Sequence, residues 1–307
     1  MLLSVSLQYT CYAMQDVKLK NYLHLHFIVF IWGFTAVLGA LITLDALPLV
    51  WFRMCIAVGI ILIYAAITKA PLKVPFKTLI GFLIAGLVIA LHWFTFFQAI
   101  KVSNVSVTLA CLSTGAFFTS FLEPIFFGRK IVIYEVLFGL MVIGGLYMIF
   151  HFEGNYLNGI LLALSSAFLS ASFSIINGKY ATQYSSVTIS FYELLGGIFF
   201  FSVYLLFSGS FTPEFFNVSA SDWQWLFILG SFCTAYAFIA SVHVMKYLSP
   251  YTVMLTINME PIYGIILAVL VFNDKEKMSV WFYAGAAIIL TTVILNGILK
   301  NRAKKIN

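Results

Sequence analysis

The sequence predicts an all-α membrane protein with ten transmembrane helices in a five-plus-five inverted-topology repeat. Its composition, the length of its apolar runs and a weak internal similarity support this prediction. The 307 residues are 62% apolar and only 9% charged, with a mean hydropathy of +1.02, whereas ordinary soluble domains are about 25% charged. This composition excludes a soluble globular protein and a disordered chain. The 17 Lys and Arg residues are too thinly spread for a nucleic-acid-binding face.

Ten apolar segments are each about 20 residues long, which is enough for a helix to cross the hydrocarbon core. They lack the period-2 alternation of an outer-membrane barrel. The connections are short, so no room remains for a soluble catalytic domain. The predicted spans, one to ten, cover approximately residues 22–42, 47–68, 78–99, 104–127, 131–151, 157–177, 186–208, 223–244, 250–272 and 279–299.

The two ends of the chain are predicted as cytoplasmic tails, at residues 1–21 and, in a basic form, at residues 300–307. The first residues lack the positive region and the small-residue cleavage site of a signal peptide. Met14 directly precedes the first charged residues. We therefore expect translation to start at Met14, with residues 1–13 as a mis-annotated start.

The basic residues predict the orientation. With the N-terminus in the cytoplasm, only Lys101, Lys275 and Lys277 fall in outside loops and Arg53 falls inside a span, while the other basic residues fall on the inner side. The positive-inside rule then places both termini in the cytoplasm, as an even number of spans requires.

An internal repeat divides the chain into residues 22–151 and 157–299, with five spans each. The offset between matching positions drifts slowly from 139 to 146, as small loop insertions would make it. Five is an odd number, so the two halves enter the membrane in opposite directions, a design typical of secondary transporters with a substrate site near the midplane. The matches pair Phe34 with Phe173, Arg53 with Glu193, Lys101 with Lys246, and Gly139 with Gly285.

Two Glu-Pro pairs look like a repeated motif but do not align. Glu123-Pro124 and Glu260-Pro261 are 137 residues apart, whereas their flanking sequences align at about 145. We interpret them as different sites and expect both prolines to break their helices.

Ionisable residues inside spans are costly and are functional candidates by default. Arg53 could anchor a substrate carboxylate or could snorkel to the outer headgroups. His92 could carry a proton or could be a hydrogen-bonded structural residue. Glu193 could form a gate or salt bridge or could serve interhelical packing. Glu123 lies nearer the cytoplasmic end of its span.

Glu260 is the strongest candidate because it lies deepest and its short side chain cannot snorkel far. Asn258 precedes it, and Pro261 frees the carbonyl of Ile257, an arrangement that is tolerated at membrane depth where backbone lines a cavity. We expect Glu260 to be the main proton-linked or cation-recognising group, with protons as the coupling ion. The alternative is a neutral glutamic acid that is hydrogen-bonded to a neighbouring helix.

We also expect a hydrophilic cavity between the two repeats, lined by spans one, three, four, six, eight and nine. This expectation rests on polar residues that fall in these spans. They are Trp32, Gln98, Ser113, Thr114, Tyr236, Asn258 and Tyr263.

No catalytic residue, metal site or cofactor is expected. The chain has no HExxH, GxSxG or P-loop sequence, and its four cysteines show no CxxC or Cys/His spacing. Without a nucleotide-hydrolysing module, uphill transport must use an ion or substrate gradient.

Residues 22–299 resemble the EamA family of the drug/metabolite transporter superfamily. The stretch from Leu255 to Gly264, and the run from His92-Trp93-Phe94 to Ser103-Asn104-Val105-Ser106, look similar to family sequences. Where the family often has Gly-Glu after spans four and nine, this chain has Gly128-Arg129 and Asn273-Asp274.

The resemblance implies an exporter or exchanger of small metabolites, such as amino acids or related organic solutes, in the inner membrane. Two alternatives stay open at this point. One is an intramembrane enzyme that acts on a lipid-linked substrate, and the other is a structural membrane protein that transports nothing.

Overall fold

The computed structural model describes residues 2–128, 133–152, 154–248 and 250–306, and the regular elements in this part of the chain are helices. The α-helices are α1 Leu2–Leu41, α2 Ala46–Thr68, α3 Phe76–Val102, α4 Val105–Leu112, α5 Gly115–Phe127, α6 Ile133–Phe152, α7 Leu157–Tyr180, α8 Ser186–Phe207, α9 Ala220–Gly230, α10 Ala237–Val244, α11 Pro250–Ile257, α12 Glu260–Phe272 and α13 Val280–Ile306. A π-helical turn, Ser231–Tyr236, joins α9 to α10, and short 3-10 turns cover Gly154–Tyr156, Pro213–Phe216 and Asn273–Glu276.

Within the described residues, eight helical segments are long and apolar enough to cross a membrane, and two apolar stretches, Leu137–Ile149 and Val280–Leu295, are shorter. These lengths show a multi-pass helical membrane protein. The first apolar span begins at Leu19, although α1 itself begins at Leu2, so residues predicted as a tail continue the first helix. Arg129 and Lys130, which were counted toward the orientation, lie outside the described residues.

Predicted span four is two helices rather than one. The chain turns at Ser113 and Thr114, where the backbone N–H of Thr114 donates to the carbonyl of Cys111 at 3.1 Å, only three residues back. Both hydroxyls also donate to carbonyls of the preceding turn, which gives the backbone an alternative to the regular helical ladder. The helix break thus lies at Ser113 and Thr114. The expectation that Pro124 breaks the helix is wrong, because α5 continues through Pro124 to Phe127.

Predicted span nine is broken in the same way, between α11 and α12. The N–H of Met259 donates to the carbonyl of Thr256 at 3.0 Å. Pro261 follows in the first turn of α12, where its missing N–H costs no helical hydrogen bond. The predicted helix break near Pro261 is thus present, but it lies just before the proline, between Ile257 and Glu260.

The two breaks occupy the same place in the two repeats. Cys111 and Thr256, whose carbonyls accept these hydrogen bonds, are 145 residues apart, and so are Thr114 and Met259, whose N–H groups donate them. This is the register in which the flanking sequences align. The helices around the breaks also pack in matching pairs, α4 against α12 and α5 against α11.

Two close helix crossings also occupy equivalent positions in the two repeats. A Cβ on Gly86 of α3 would collide with the backbone carbonyl of Glu193 on α8, and a Cβ on Gly230 of α9 would lie 3.2 Å from the carbonyl of Arg53 on α2. Gly86 and Gly230 are 144 residues apart, and Arg53 and Glu193 are 140 apart. Glycine therefore permits backbone contact at corresponding crossings in the two halves.

The N-terminus of α4 is capped from a distant part of the chain. Glu276, which is buried, accepts the N–H of Val105 at 3.0 Å and that of Ser106 at 2.9 Å. A carboxylate at a helix N-terminus satisfies free N–H groups and complements the helix dipole. This contact ties the end of predicted span nine to the start of predicted span four.

Candidate functional site

A cavity of about 70 Å³ lies among α1, α3, α4, α7, α10 and the break between α11 and α12. These elements belong to predicted spans one, three, four, six, eight and nine. The lining is mostly apolar and aromatic, so the expectation of a hydrophilic cavity is wrong in that respect. Its polar members are Trp32, Thr35, His92, Ser170, Ser174, Ser241 and Glu260.

Arg53 is buried beside this cavity. Only 1% of its surface is exposed, so its side chain does not snorkel to a membrane surface. Its Nε donates to Thr234 Oγ1 at 2.7 Å, and its guanidinium carbon lies 3.9 Å from the ring centroid of Trp93, a cavity-lining residue. The terminal Nη1 has no hydrogen-bond partner among the described residues.

A π-helical turn presents Thr234 to Arg53. The hydroxyl of Thr234 donates to the carbonyl of Leu229, five residues back, at 2.7 Å. Such wide turns are rare and frequently occur at functional sites. Trp32 Nε1 donates to the carbonyl of Cys233 in the same turn at 3.2 Å, so Trp32 both lines the cavity and holds α1 against the turn.

Glu260 begins α12, directly after the helix break, and its side chain lines the cavity with 6% of its surface exposed. It interacts electrostatically with Arg53, and Arg53 in turn interacts with His92. The structure therefore brings three of the predicted ionisable residues together around one cavity.

His92 is hydrogen-bonded and also faces the cavity. Its Nδ1 lies 2.9 Å from the backbone carbonyl of Ser166, and the Ser166 hydroxyl donates to the His92 carbonyl at 3.0 Å. Because a carbonyl oxygen can only accept, Nδ1 carries the hydrogen in this contact. Both sequence interpretations of His92 remain compatible with this position.

Asn258 lies in the break between α11 and α12, next to the cavity residue Ile257. It is 3% exposed, and its Nδ2 has no hydrogen-bond partner in the described part of the chain. The Thr35 hydroxyl is unpartnered in the same sense. Unpaired buried donors are costly, so Arg53 Nη1 and Asn258 Nδ2 could each take a hydrogen-bond acceptor.

The other predicted polar residues do not meet at this cavity. The hydroxyls of Ser113 and Thr114 bond to carbonyls of α4, and Tyr263 packs against Phe30 with ring centroids 5.5 Å apart. Gln98 lines a separate groove of about 410 Å³. Tyr236 lines another, of about 490 Å³, where its hydroxyl lies 2.9 Å from His24 Nε2.

Glu193 is fully buried in α8. Its Oε2 accepts from Asn177 Nδ2 on α7 at 3.2 Å. The partner that the structure gives it is thus an amide, which does not fit the salt-bridge interpretation.

Sequence reasoning missed Trp93, Thr234 and Asn177. Trp93 is adjacent to His92, and Thr234 is a polar residue inside predicted span eight, but nothing in the sequence connects Thr234 with Arg53. Nothing in the sequence singles out Asn177 as the partner of Glu193.

The chain is similar to known proteins in both sequence and fold. The model of the EamA-like transporter family matches residues 20–151 and again 157–298. Twenty-nine chains of solved structures match the fold. One crystal structure superposes on 91% of this chain and 98% of its own with a TM-score of 0.68 at 15% sequence identity, which shows a shared fold. No curated protein sequence matches the chain.

Proposed function

The chain belongs to the EamA-like transporter family, and we propose that it is a secondary transporter that exports or exchanges small metabolites by alternating access. Amino acids or related organic solutes with a carboxylate are the proposed substrates. The family and the apolar helices show a multi-pass membrane protein of a transporter family. Substrate class, direction and coupling are our proposals.

The observation that carries the proposal is the position of Arg53. A guanidinium that is fully buried, stacked on Trp93 and bonded through only one nitrogen to Thr234 keeps Nη1 free. Guanidinium groups pair well with carboxylates, and the unpaired Nδ2 of Asn258 is a further donor near the cavity. A substrate carboxylate would satisfy the free Nη1 of Arg53.

Glu260 supplies the opposite charge at the same cavity. A carboxyl group there can pair with a substrate ammonium, or it can exchange a proton when the cavity opens to one side. An amino acid carries both of the groups that Arg53 and Glu260 would recognise. Trp32, His92 and the serine hydroxyls of α7 and α10 complete the proposed contacts.

The proposed topology has ten spans in an inverted repeat, with α6 and α13 as spans five and ten and both termini in the cytoplasm of an inner membrane. The two family matches, the equivalent breaks at Thr114 and Met259 and the corresponding glycine crossings at Gly86 and Gly230 support it. Broken helices in corresponding positions of two repeats are a feature of transporter binding sites.

A flux screen with the purified protein in liposomes tests the proposal. Radiolabelled amino acids and organic acids would be loaded singly, with and without a pH gradient. We expect protein-dependent flux of at least one carboxylate-bearing solute and little flux of matched solutes without the carboxylate. Equal flux of both members of each pair would contradict the proposed role of Arg53.

A further inference from the structure

A second buried polar cluster lies away from the cavity, where α7 meets α8. Glu193 and Asn177 are both 0% exposed, and Asn177 Nδ2 donates to Glu193 Oε2 at 3.2 Å. The remaining oxygens of this pair, Glu193 Oε1 and Asn177 Oδ1, have no hydrogen-bond partner in the described chain, and neither has the hydroxyl of Ser190, one turn earlier on α8. Buried polar atoms are rarely left unpaired.

Among the described residues, no charged group compensates Glu193. Helices α2, α3 and α10 pack against α8, and α7 supplies Asn177. In the described parts of these helices and of the loop after α2, no charged or titratable residue interacts electrostatically with Glu193. The basic and histidine residues concerned are Arg53, Lys69, Lys73, Lys77, His92, Lys101, Lys179 and His243.

The two unpaired oxygens of the pair are complementary to one hydrogen. A carboxylate and an amide oxygen are both acceptors and cannot bond to each other, whereas a carboxylic acid carries an O–H donor. One proton on Glu193 Oε1 would let that O–H donate to Asn177 Oδ1 while Asn177 Nδ2 still donates to Oε2. Two antiparallel hydrogen bonds would then close a ring between acid and amide.

We propose that Glu193 and Asn177 form a proton-binding site, in which Glu193 is held as a neutral carboxylic acid paired with the Asn177 amide. An uncompensated carboxylate in this buried position would lose its hydration without gaining a counter-charge, and protonation avoids that cost. The site is separate from the cavity at Glu260, and it does not depend on which solute is carried. It occupies the place that Arg53 occupies in the other half.

Infrared difference spectroscopy of the purified, reconstituted protein at neutral pH tests the site. A carboxylic acid has a C=O stretching band that a carboxylate lacks. We expect a wild-type minus Glu193→Gln difference band of this kind that shifts in deuterium oxide. In Asn177→Ala the band should move to higher frequency, because the acid loses its partner. The absence of the Glu193 band, or a band unaffected by Asn177→Ala, would overturn the proposal.

Glu214→Gln is the matched spectroscopic control. Glu214 is exposed in the loop between α8 and α9, where a hydrogen bond from Thr212 lowers the pKa of its carboxyl group. It is therefore ionised at neutral pH, and its replacement should leave the acid band unchanged.

Melting temperature provides a second measurement that does not involve transport. A glutamine amide can make the same two hydrogen bonds with Asn177 as the acid. The melting temperature of Glu193→Gln should therefore equal that of the wild type, whereas that of Glu193→Ala should be lower. A Glu193→Gln variant that melts at as low a temperature as Glu193→Ala would contradict a neutral acid.

A comparison of sodium chloride with choline chloride tests for a bound metal cation instead. If sodium chloride raises the melting temperature of the wild type but not that of the Glu193 variants, the site binds a metal cation and the proposal is overturned.

Discussion

The guanidinium of Arg53 lies 3.9 Å over the ring of Trp93 while its Nε donates to Thr234 at 2.7 Å. These two contacts come from different helices, α3 and the π-helical turn after α9, and together they fix the plane of the guanidinium. The free Nη1 is therefore presented in one direction. A fixed, partly unpaired guanidinium is the feature on which the proposed carboxylate recognition depends.

Replacing Arg53 by lysine should weaken substrate binding. The positive charge stays, but the planar fork, the stacking on Trp93 and the Nε bond to Thr234 are lost. A charge-assisted hydrogen bond contributes about 1.5–3 kcal/mol, so we expect the Kd to rise roughly 10- to 100-fold. Substrate-dependent thermal stabilisation of the purified variant measures this change. An unaltered Kd in Arg53→Lys and Arg53→Gln would leave Arg53 as a packing residue.

Replacing Glu260 by glutamine should abolish the pH dependence of transport while the protein still folds and inserts. Glutamine keeps the shape and the hydrogen-bonding capacity of the side chain but cannot exchange a proton. Initial flux into liposomes, measured over a series of internal and external pH values, checks the prediction. Glu214→Gln, in an exposed loop, is the control. A normal pH profile in Glu260→Gln would make Glu260 a structural residue.

Replacing Gly86 by alanine should destabilise the protein strongly, because the new methyl group would collide with the backbone carbonyl of Glu193. Backbone cannot move aside as a flexible side chain can, so the cost should be at least about 1–3 kcal/mol. Gly59→Ala is the matched control, since a Cβ there meets no atom within 4 Å. The fraction of folded protein left after heating, read by size-exclusion chromatography, compares the two variants. Equal melting would show that α3 and α8 do not cross as described.

Replacing Glu276 by glutamine should lower stability by roughly 1–2 kcal/mol. The side chain would place an NH₂ group where a carboxylate oxygen now accepts the N–H of Val105 or Ser106, and the charge that complements the helix dipole would be lost. Thermal melting of Glu276→Gln against the exposed Glu214→Gln measures the effect. If the two variants have the same melting temperature, Glu276 does not cap α4.

The sequence predicts the family, the helical membrane fold and the six spans that line the cavity, because apolar length and repeat offset are properties of long segments. It also predicts that Arg53, His92 and Glu260 are special, because an ionisable residue inside an apolar run is conspicuous. None of these predictions, whether about whole segments or about single ionisable residues, needs knowledge of local geometry. The structure places the three residues around one cavity, and their functional roles stay predictions.

Local backbone geometry could not be predicted. The turns at Thr114 and Met259 depend on side-chain hydroxyls, a proline and packing between the repeats, which hydropathy averages away. The π-helical turn that presents Thr234 leaves no signature in composition. Asn177 becomes the partner of Glu193 only through the way α7 and α8 pack. Ser113, Thr114 and Tyr236 do not line the cavity as the sequence predicts, because their hydroxyls bond to nearby groups instead.

The central claim is that solute passes through the cavity beside Arg53 and Glu260, and two substitutions on α7 test it most directly. Ser170 lines the cavity, whereas Ser165 is exposed five residues away on the same helix. An indole at residue 170 would fill most of the cavity, so solute flux into proteoliposomes should be lost in Ser170→Trp and retained in Ser165→Trp, at equal amounts of folded protein. Wild-type flux in Ser170→Trp would contradict the claim that this cavity is the transport site.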